Sequence, residues 1–318
     1  MSLAPPVERQ VLHTVTQAAG SRRRRRRPLP YLLLLPALLA LLGGLGYPLA
    51  RQVVLSFQDF GLAQQFGKPA EWVGLDNYHE LVTDRYLWTV ALRSLAFCFA
   101  NAAITMTLGI AVALLLQRLS TPVRILVQSA LLLAWAMPVI AVLTVYEWMF
   151  DAQYGVVNWV LDHLGADYSG HSWLLHPLSF YVVASLVVVW MSVPFVAFTG
   201  YAALTGVPTE IIEASEIDGA GPLQRLVHIV LPSIKPVLLV VGLLQVIWDM
   251  RVFTQIYVLQ QAGGITEDTN LLGTYIYRIG IGESRFGMAA AIAMFMLALT
   301  AVLTAPYIRS MLRTEEES

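Results

Sequence analysis

The sequence has little charge and almost no cysteine. Only 13% of its 318 residues are charged, against roughly 25% in a typical soluble domain, and the mean hydropathy is +0.64. So few charges cannot cover a water-facing surface, which argues against a soluble enzyme and against a disordered chain. The single cysteine, Cys98, excludes an internal disulfide and any multi-cysteine metal site. The composition fits a protein whose solvent is the bilayer.

Motifs for nucleotide, ester and metal chemistry are also missing. The two lysines, Lys68 and Lys235, both lie outside the GxxxxGK[ST] context of a phosphate-binding loop. The chain has no GxSxG nucleophile elbow and no HExxH zinc motif. A net charge of -1 argues against a nucleic-acid partner. We therefore expect no catalytic residue, no metal ligand and no cofactor bound by this chain.

The sequence does contain long segments without Asp, Glu, Lys or Arg. A helix needs about 20 apolar residues to cross the hydrocarbon core. Six segments reach that length, and one of them is interrupted only by Asp249 and Arg251. The six predicted spans include a few flanking residues, among them Arg93, Arg124 and Glu147. They are residues 28–50, 90–117, 124–147, 178–204, 236–259 and 286–308. The sequence thus predicts an all-α polytopic membrane protein with six transmembrane helices over residues 28–308.

The basic residues indicate an orientation. The run Arg22 to Arg27 directly precedes the first span, and the positive-inside rule then places the N-terminal tail, residues 1–27, in the cytoplasm. Six crossings return the C-terminal tail, residues 309–318, to the same side. A cleavable signal peptide is the alternative for the N-terminus, but the apolar run exceeds the about 7 to 15 residues of a signal-peptide core. We expect both termini to be cytoplasmic.

The segment 206–232 contains the best-defined local pattern. Pro208 suits the first turn of a helix, and Gly219 can take the left-handed conformation that ends one. Pro222 then starts a second helix, which Pro232 is expected to stop. The pattern predicts two short cytoplasmic helices joined at Gly219, amphipathic enough to lie on a partner protein.

The spacing within this loop is specific. It reads Glu-Ala-Ser, three residues, Gly, nine residues, Ile, one residue, Leu-Pro, at Glu213, Ala214, Ser215, Gly219, Ile229, Leu231 and Pro232. It resembles the cytoplasmic signature of the permease subunits of binding-protein-dependent ABC importers, specifically the carbohydrate (maltose-type) branch, in which the third position is Ala. Three further segments resemble that branch: Val73-Gly-Leu-Asp-Asn-Tyr78, Tyr154-Gly-Val-Val-Asn158 and Phe286-Gly-Met-Ala-Ala-Ala. The chain departs from the branch at Leu259-Gln-Gln-Ala-Gly-Gly-Ile265, where Leu-Thr-Gly-Gly-Pro is common.

The resemblance implies a type I ABC importer permease fold and a division of labour between subunits. The loop would form a coupling helix, with Asp218 in the same set of contacts, that docks in a cleft of a separate ATPase. Glu213 would meet the cleft, and Gly219 would allow the close turn. ATP and magnesium would be bound by that ATPase. The implied partners are a second homologous permease, two ATP-binding subunits, an extracytoplasmic sugar-binding protein, the sugar and the lipid of a bacterial inner or plasma membrane.

Polar and aromatic residues at membrane depth are candidates for the substrate pathway. A charge is expensive there, and an aromatic face beside hydrogen-bonding groups is what a pyranose ring needs. The candidates are Gln245, Trp248, Asp249, Arg251, Asn101 and Trp190, with Gln128 and Glu147 as weaker ones. The alternative for the polar residues is a structural pair or an interhelical hydrogen bond, and for Trp190 packing or a place at the membrane interface.

These observations favour a permease that imports a mono- or oligosaccharide. An ABC permease for an amino acid or a peptide is the nearer alternative. A self-sufficient secondary transporter usually has paired broken helices in two related halves, and an intramembrane enzyme needs a nucleophile with a base or a set of metal ligands. Neither pattern is readable in this sequence.

Overall fold

The computed structural model describes residues 29–316, with side chains described for residues 33–310. The predicted basic tail at residues 1–27 lies outside this part. The residues up to Arg51 form one compact unit and those from Gln52 onward form a second, and each is described by itself. In chain order the elements are α1 (Leu29–Leu41), a π-helical turn (Leu42–Gly46), α2 (Tyr47–Ser56), β1 (Gln58–Asp59), α3 (Leu62–Gln65), β2 (Glu71–Trp72), α4 (Asp76–Thr83), α5 (Arg85–Arg118), α6 (Thr121–Ala136), α7 (Val139–Met149), α8 (Val156–His163), α9 (Pro177–Thr205), α10 (Thr209–Ile217), α11 (Pro222–Arg225), a second π turn (Leu226–Val230), α12 (Leu231–Met250), α13 (Thr254–Gln261), α14 (Thr266–Thr269), α15 (Leu272–Tyr277), a third π turn (Arg278–Gly282) and α16 (Phe286–Glu316).

The all-α fold class is confirmed. Within the described residues, the sheet consists of β1 and β2, which pair antiparallel over two residues each. Five helical segments there are long and apolar enough to cross a membrane, and a bent pair raises the number to six if it counts as one span. The five are Leu33–Ser56, Arg85–Arg118, Pro177–Thr205, Pro222–Gln261 and Phe286–Ser310. Each overlaps one of the predicted spans.

The third predicted span, residues 124–147, is not one straight helix. It consists of α6 and α7, which meet at 97°. Pro138 explains the break, since it has no N–H to donate and it disfavours the helical conformation for the residue before it. Met137 accordingly has an extended backbone, with ψ 135°.

Pro232 does not end the second helix of the loop, so that prediction is wrong. The chain continues from α11 through the π turn at Leu226–Val230 directly into α12, and Pro232 lies in the first turn of α12. In the π turn the Leu231 N–H donates its hydrogen bond to the carbonyl of Leu226, five residues earlier in the chain. A π turn shifts the hydrogen-bond register by one residue, which lets the helix accommodate a residue without an N–H.

Helices α5 and α9 lie parallel and close together. A Cβ built on Gly109 of α5 would lie 2.5 Å from Cβ of Val196, and one built on Gly200 of α9 would lie 3.2 Å from Cβ of Ala113. Such positions tolerate only the smallest side chains, as is usual where membrane helices approach closely. On another side of α5 the Cys98 thiol lies 3.5 Å from the carbonyl of Val246 in α12. Helix α5 is therefore the centre of the bundle.

Residues of two resemblance motifs hold the end of the bundle where α5 begins. The Asn77 amide donates to the carbonyls of Ser56 and Gln58, both at 3.0 Å. The N–H of Gly287 donates to the carbonyl of Phe60 at 2.9 Å, and a Cβ at Gly287 would lie 2.1 Å from the Gln58 carbonyl oxygen. These motif residues therefore attach β1 to the start of α16.

The segment that departs from the branch forms the end of α13 and a tight turn. The N–H groups of Gly263 and Gly264 bond to the carbonyls of Gln260 and Leu259, each at 3.3 Å. Gly263 has φ +141°, a conformation that favours glycine.

We predict that Gly109→Ala destabilises the chain while Gly242→Ala does not. The added methyl at Gly109 has to displace Val196, and overpacking of this kind costs typically about 1–3 kcal/mol. A Cβ at Gly242 has only the end of the Met106 side chain nearby, at 3.9 Å, and replacing a helical glycine with alanine is otherwise favourable. Thermal unfolding of both variants in the same detergent checks this. Equal melting temperatures for the two would contradict the close α5–α9 contact.

Candidate functional site

The loop that follows α9 carries a well-formed helix end. Helix α10 stops at Ile217, and Gly219 has φ +79°, as the sequence predicts. The Ala220 N–H bonds to the Ser215 carbonyl and the Gly219 N–H to the Glu216 carbonyl, both at 3.0 Å. This pair of bonds is the Schellman arrangement, which requires a left-handed residue at the position of Gly219. The elbow thereby turns the chain from α10 into α11.

The outer face of α10 is exposed and lacks partners. Glu213, Ala214 and Asp218 are exposed, and the Glu213 carboxylate has no hydrogen bond or ion pair within the described residues. Beside the elbow, Ile217 is 88% exposed and Leu223 is 73% exposed. Apolar side chains so exposed next to an unpaired carboxylate form a surface suited to a protein partner. We call Glu213, Ala214, Ile217, Gly219 and Leu223 the elbow surface.

The inner face of the loop is fixed to the bundle. Ser215 is buried, and its hydroxyl donates to the Ile212 carbonyl at 2.6 Å. Ile212 packs against a buried apolar cluster that includes Ala113 at the end of α5 and Ile234 of α12. An ion pair between Arg225 and Glu216 joins α11 to α10. These contacts attach the loop to the bundle.

The other signature residues lie where the loop enters α12. Ile229 is half-buried within the π turn, and Leu231 is half-buried at the start of α12. Leu231 packs against the same apolar cluster as Ile212, whereas Pro232 is exposed. These residues therefore connect the elbow surface to the membrane helix α12.

Three of the six main pathway candidates lie inside the bundle. Gln245, Asp249 and Asn101 are all buried. The Gln245 amide donates to both carboxylate oxygens of Asp249, at 2.9 and 3.0 Å, and the Asn101 amide donates to the Phe97 carbonyl at 2.8 Å. Arg251 is exposed after the end of α12 and forms no ion pair with Asp249. Each of these hydrogen bonds lies within one helix, and the side-chain oxygens of Gln245 and Asn101 have no hydrogen-bond partner in the described chain. Their place on the pathway stays a prediction.

An aromatic group at membrane depth brings together residues of three helices. Trp248 of α12 packs against Phe195 of α9, with ring centroids 5.0 Å apart, and Phe195 lies 6.3 Å from the ring of Trp135 in α6. Trp248 and Trp135 are both exposed. Trp190 is exposed as well, but its ring contacts none of these three. Sequence reasoning found Trp248 but missed Trp135 and Phe195, because the cluster exists only once the three helices are packed.

The end of the bundle opposite the elbow surface is tied together by polar contacts. Arg285 donates to both carboxylate oxygens of Glu80, at 2.8 and 2.7 Å, and this hydrogen bonding raises the pKa of Arg285. The Tyr275 hydroxyl donates to Asp84 at 2.9 Å. Burial, and then this hydrogen bond, raise the pKa of Tyr275, which keeps the phenol a donor. The contacts join α4 and the start of α5 to α15 and α16.

The Tyr154 motif is also structural. The Asn158 amide donates to the His171 carbonyl at 2.8 Å, and its oxygen accepts the indole N–H of Trp173 at 2.6 Å. The backbone N–H groups of Tyr154 and Gln153 donate to Asp151, both at 2.8 Å, and hold the pKa of that carboxyl below its usual range. The segment between α7 and α9 is therefore a folded surface.

Comparison with known proteins agrees with this arrangement. The family described as "Binding-protein-dependent transport system inner membrane component" matches residues 105–307. The diacetylchitobiose uptake system permease protein DasB of Streptomyces coelicolor is 43% identical over 292 residues, covering 91% of this chain and 88% of that protein. The trehalose/maltose transport system permease protein MalF of Thermococcus litoralis is 32% identical over 289 residues, covering 90% and 94%.

A solved structure has the same fold. It is a bacterial alginate ABC transporter in complex with an alginate pentasaccharide-bound periplasmic protein, and the match has a TM-score of 0.74 at 23% identity, covering 88% of this chain and 92% of that one. The signature loop, the spanning helices and these matches agree, and the chain belongs to the family of binding-protein-dependent transport system inner membrane components, the permease subunits of ABC importers.

Proposed function

We propose that this chain is the permease subunit through which an ATP-driven importer moves a mono- or oligosaccharide into the bacterial cytoplasm. The observation that carries the proposal is the elbow surface. It presents an unpaired Glu213 and two exposed apolar side chains, Ile217 of α10 and Leu223 of α11, and α10 packs on the bundle through Ile212. A push on such a helix moves the membrane helices with it, which is what coupling to a separate motor requires.

The partners follow from this division of labour. An ATPase would dock on the elbow surface, one copy on this chain and one on a second, homologous permease that closes the pathway. ATP and magnesium would be bound by the ATPase, so the chain itself is a transport subunit and not an enzyme. The elbow surface and both termini would face the cytoplasm. The opposite end, with the segments 51–88 and 151–176, would receive an extracytoplasmic sugar-binding protein.

The aromatic group supports a sugar as the substrate. Trp248 and Trp135 are exposed on helices that we place in the membrane, where a pyranose could stack on an indole ring. The named relatives take up diacetylchitobiose and trehalose or maltose, which are sugars. We therefore place Trp135 on the pathway together with the predicted Trp248, with Trp190 and Arg251 as exposed candidates and Gln245, Asp249 and Asn101 as buried ones.

We predict that Gly219→Trp leaves membrane insertion intact but abolishes coupling. A tryptophan at the elbow would block the approach of the ATPase. The matched control is Gly165→Trp, because Gly165 also has a positive φ, of +90°, and open space around it, but lies in the segment between α7 and α9. Affinity purification of the tagged importer in mild detergent should recover the ATPase with the Gly165 variant and not with the Gly219 variant.

Two results would contradict the coupling proposal. One is normal ATP-driven sugar uptake by the Gly219→Trp importer in proteoliposomes. The other is uptake by the purified chain alone without ATP, which would favour a self-sufficient transporter.

We predict that Trp248→Ala weakens sugar uptake while Phe99→Ala does not. Loss of one aromatic stacking surface costs about 1 kcal/mol, which corresponds to a roughly fivefold rise in KM. Phe99 is a suitable control because it is 44% exposed against 41% for Trp248, and it lies in α5 outside the aromatic group and outside the segments 51–88 and 151–176. Uptake of diacetylchitobiose, maltose and trehalose by the reconstituted importer measures the effect. An equal KM in both variants would remove Trp248 from the pathway.

A further inference from the structure

A groove between α5 and α9 has the shape of a binding site for an extended apolar chain. It has a volume of about 570 Å³. Its walls are apolar side chains, among them Ala100, Ile104 and Leu108 of α5 and Val182, Leu186 and Val189 of α9. Most of these side chains are exposed. The groove is separate from the elbow surface and from the aromatic group.

One end of the groove is polar. Arg93 and Tyr181 lie there, each within the first turns of its helix. Arg93 donates to the backbone carbonyl of Glu267 at 2.8 Å and forms no ion pair within the described part of the chain. The Tyr181 hydroxyl has no hydrogen-bond partner there. A guanidinium with spare donors and a phenol without an acceptor together call for an anionic oxygen.

The position of this polar end matches the surface of the hydrocarbon core. Arg93 is the last charged residue of α5 before Arg118, so the segment between them is the part that crosses the membrane. A headgroup at Arg93 would thus lie at the lipid–water boundary. Arginine at this depth keeps its charge in the polar region while its stem lies along apolar surface.

The length of the groove matches one leaflet. Inward of the polar end, the groove extends from Ala96 to Leu108 along α5 and from Val182 to Val189 along α9, which is roughly 18 and 10 Å at the helical rise per residue. One leaflet contributes about half of a hydrocarbon core of about 30 Å. A transmembrane helix of another subunit would need an apolar surface of about twice the leaflet depth. The groove is therefore suited to an acyl chain.

We propose that the groove holds one glycerophospholipid of the surrounding bilayer, with its phosphodiester on Arg93 and Tyr181 and one acyl chain between α5 and α9. The lipid would cover the exposed side chains and complete the hydrogen bonding of Tyr181. Its acyl chain would contact both α5 and α9 and would thereby stabilise the packing of the two helices. Asp268 lies within electrostatic range of the same hydroxyl, so a single-charged phosphodiester fits better than a doubly charged phosphomonoester.

Native mass spectrometry of the assembled importer tests the acyl-chain site. The importer would be reconstituted in nanodiscs of phosphatidylethanolamine and phosphatidylglycerol and released in the gas phase. Ala100→Trp fills the groove, whereas Ala103→Trp adds the same bulk to an exposed position of α5 outside it. We expect one retained phospholipid on the wild type and on the Ala103 variant, and none on the Ala100 variant.

A second pair of variants tests the headgroup site. Arg93→Gln should lower phospholipid occupancy about tenfold, since a hydrogen bond to a charged group is lost. Arg85→Gln, at the exposed start of the same helix, should leave occupancy unchanged. The Arg93 variant is expected to fold, because the Glu267 carbonyl still accepts the Tyr86 hydroxyl at 2.8 Å.

Three outcomes would overturn the proposal. The wild-type importer retains no phospholipid, or the two tryptophan variants retain it equally, or Ala100→Trp releases the second permease while lipid occupancy stays the same. The last outcome would identify the groove as a contact between subunits. None of these outcomes bears on the elbow surface, so the proposed function and the lipid site are tested separately.

Discussion

The close parallel contact of α5 and α9 is the constraint on which the rest of the bundle depends. Lipid is as apolar as the side chains, so helices in a membrane associate through close packing more than through burial from water. Gly109 and Gly200 allow that packing because a side chain at either position would meet the facing helix. With α9 fixed on α5, the loop after α9 lies beside the end of α5, and Ile212 can reach the cluster around Ala113. The position of the elbow surface thus follows from two glycines in the contact between α5 and α9.

Helix α12 has two functions because its neighbouring residues point in different directions. Successive residues of an α-helix are about 100° apart around the axis. Asp249 therefore points into the bundle, where Gln245 donates to it, while Trp248 points toward Phe195 and the exposed aromatic group. A buried carboxylate is tolerable only with such hydrogen bonding. The polar pair lies within α12 itself, on a different side of the helix from Trp248.

Local patterns in the sequence predict local structure well, and contacts between helices poorly. The helix end at Gly219 depends on backbone preferences of a few neighbouring residues, and charge-free segments identify the spans by composition. The break at Met137 was missed because counting charges ignores Pro138. The continuation through Pro232 was missed because it depends on a π turn that no residue type encodes. Trp135 and Phe195 belong to different helices, so only the packed bundle brings them to Trp248.

The residues that carry the family resemblance fall into two groups with different physical roles. One group stabilises the end of the bundle opposite the elbow surface. The amides of Asn77 and Asn158 donate to backbone carbonyls there, and Gly287 allows close backbone contact because it has no side chain, so these residues already have partners within the chain. Glu213 has no partner within the described chain and is available to one outside it. The exposed aromatic group belongs to none of the resemblance motifs. The frame and the elbow surface therefore depend on different residues from those of the exposed aromatic group, so a substitution in that group leaves the contacts of both in place.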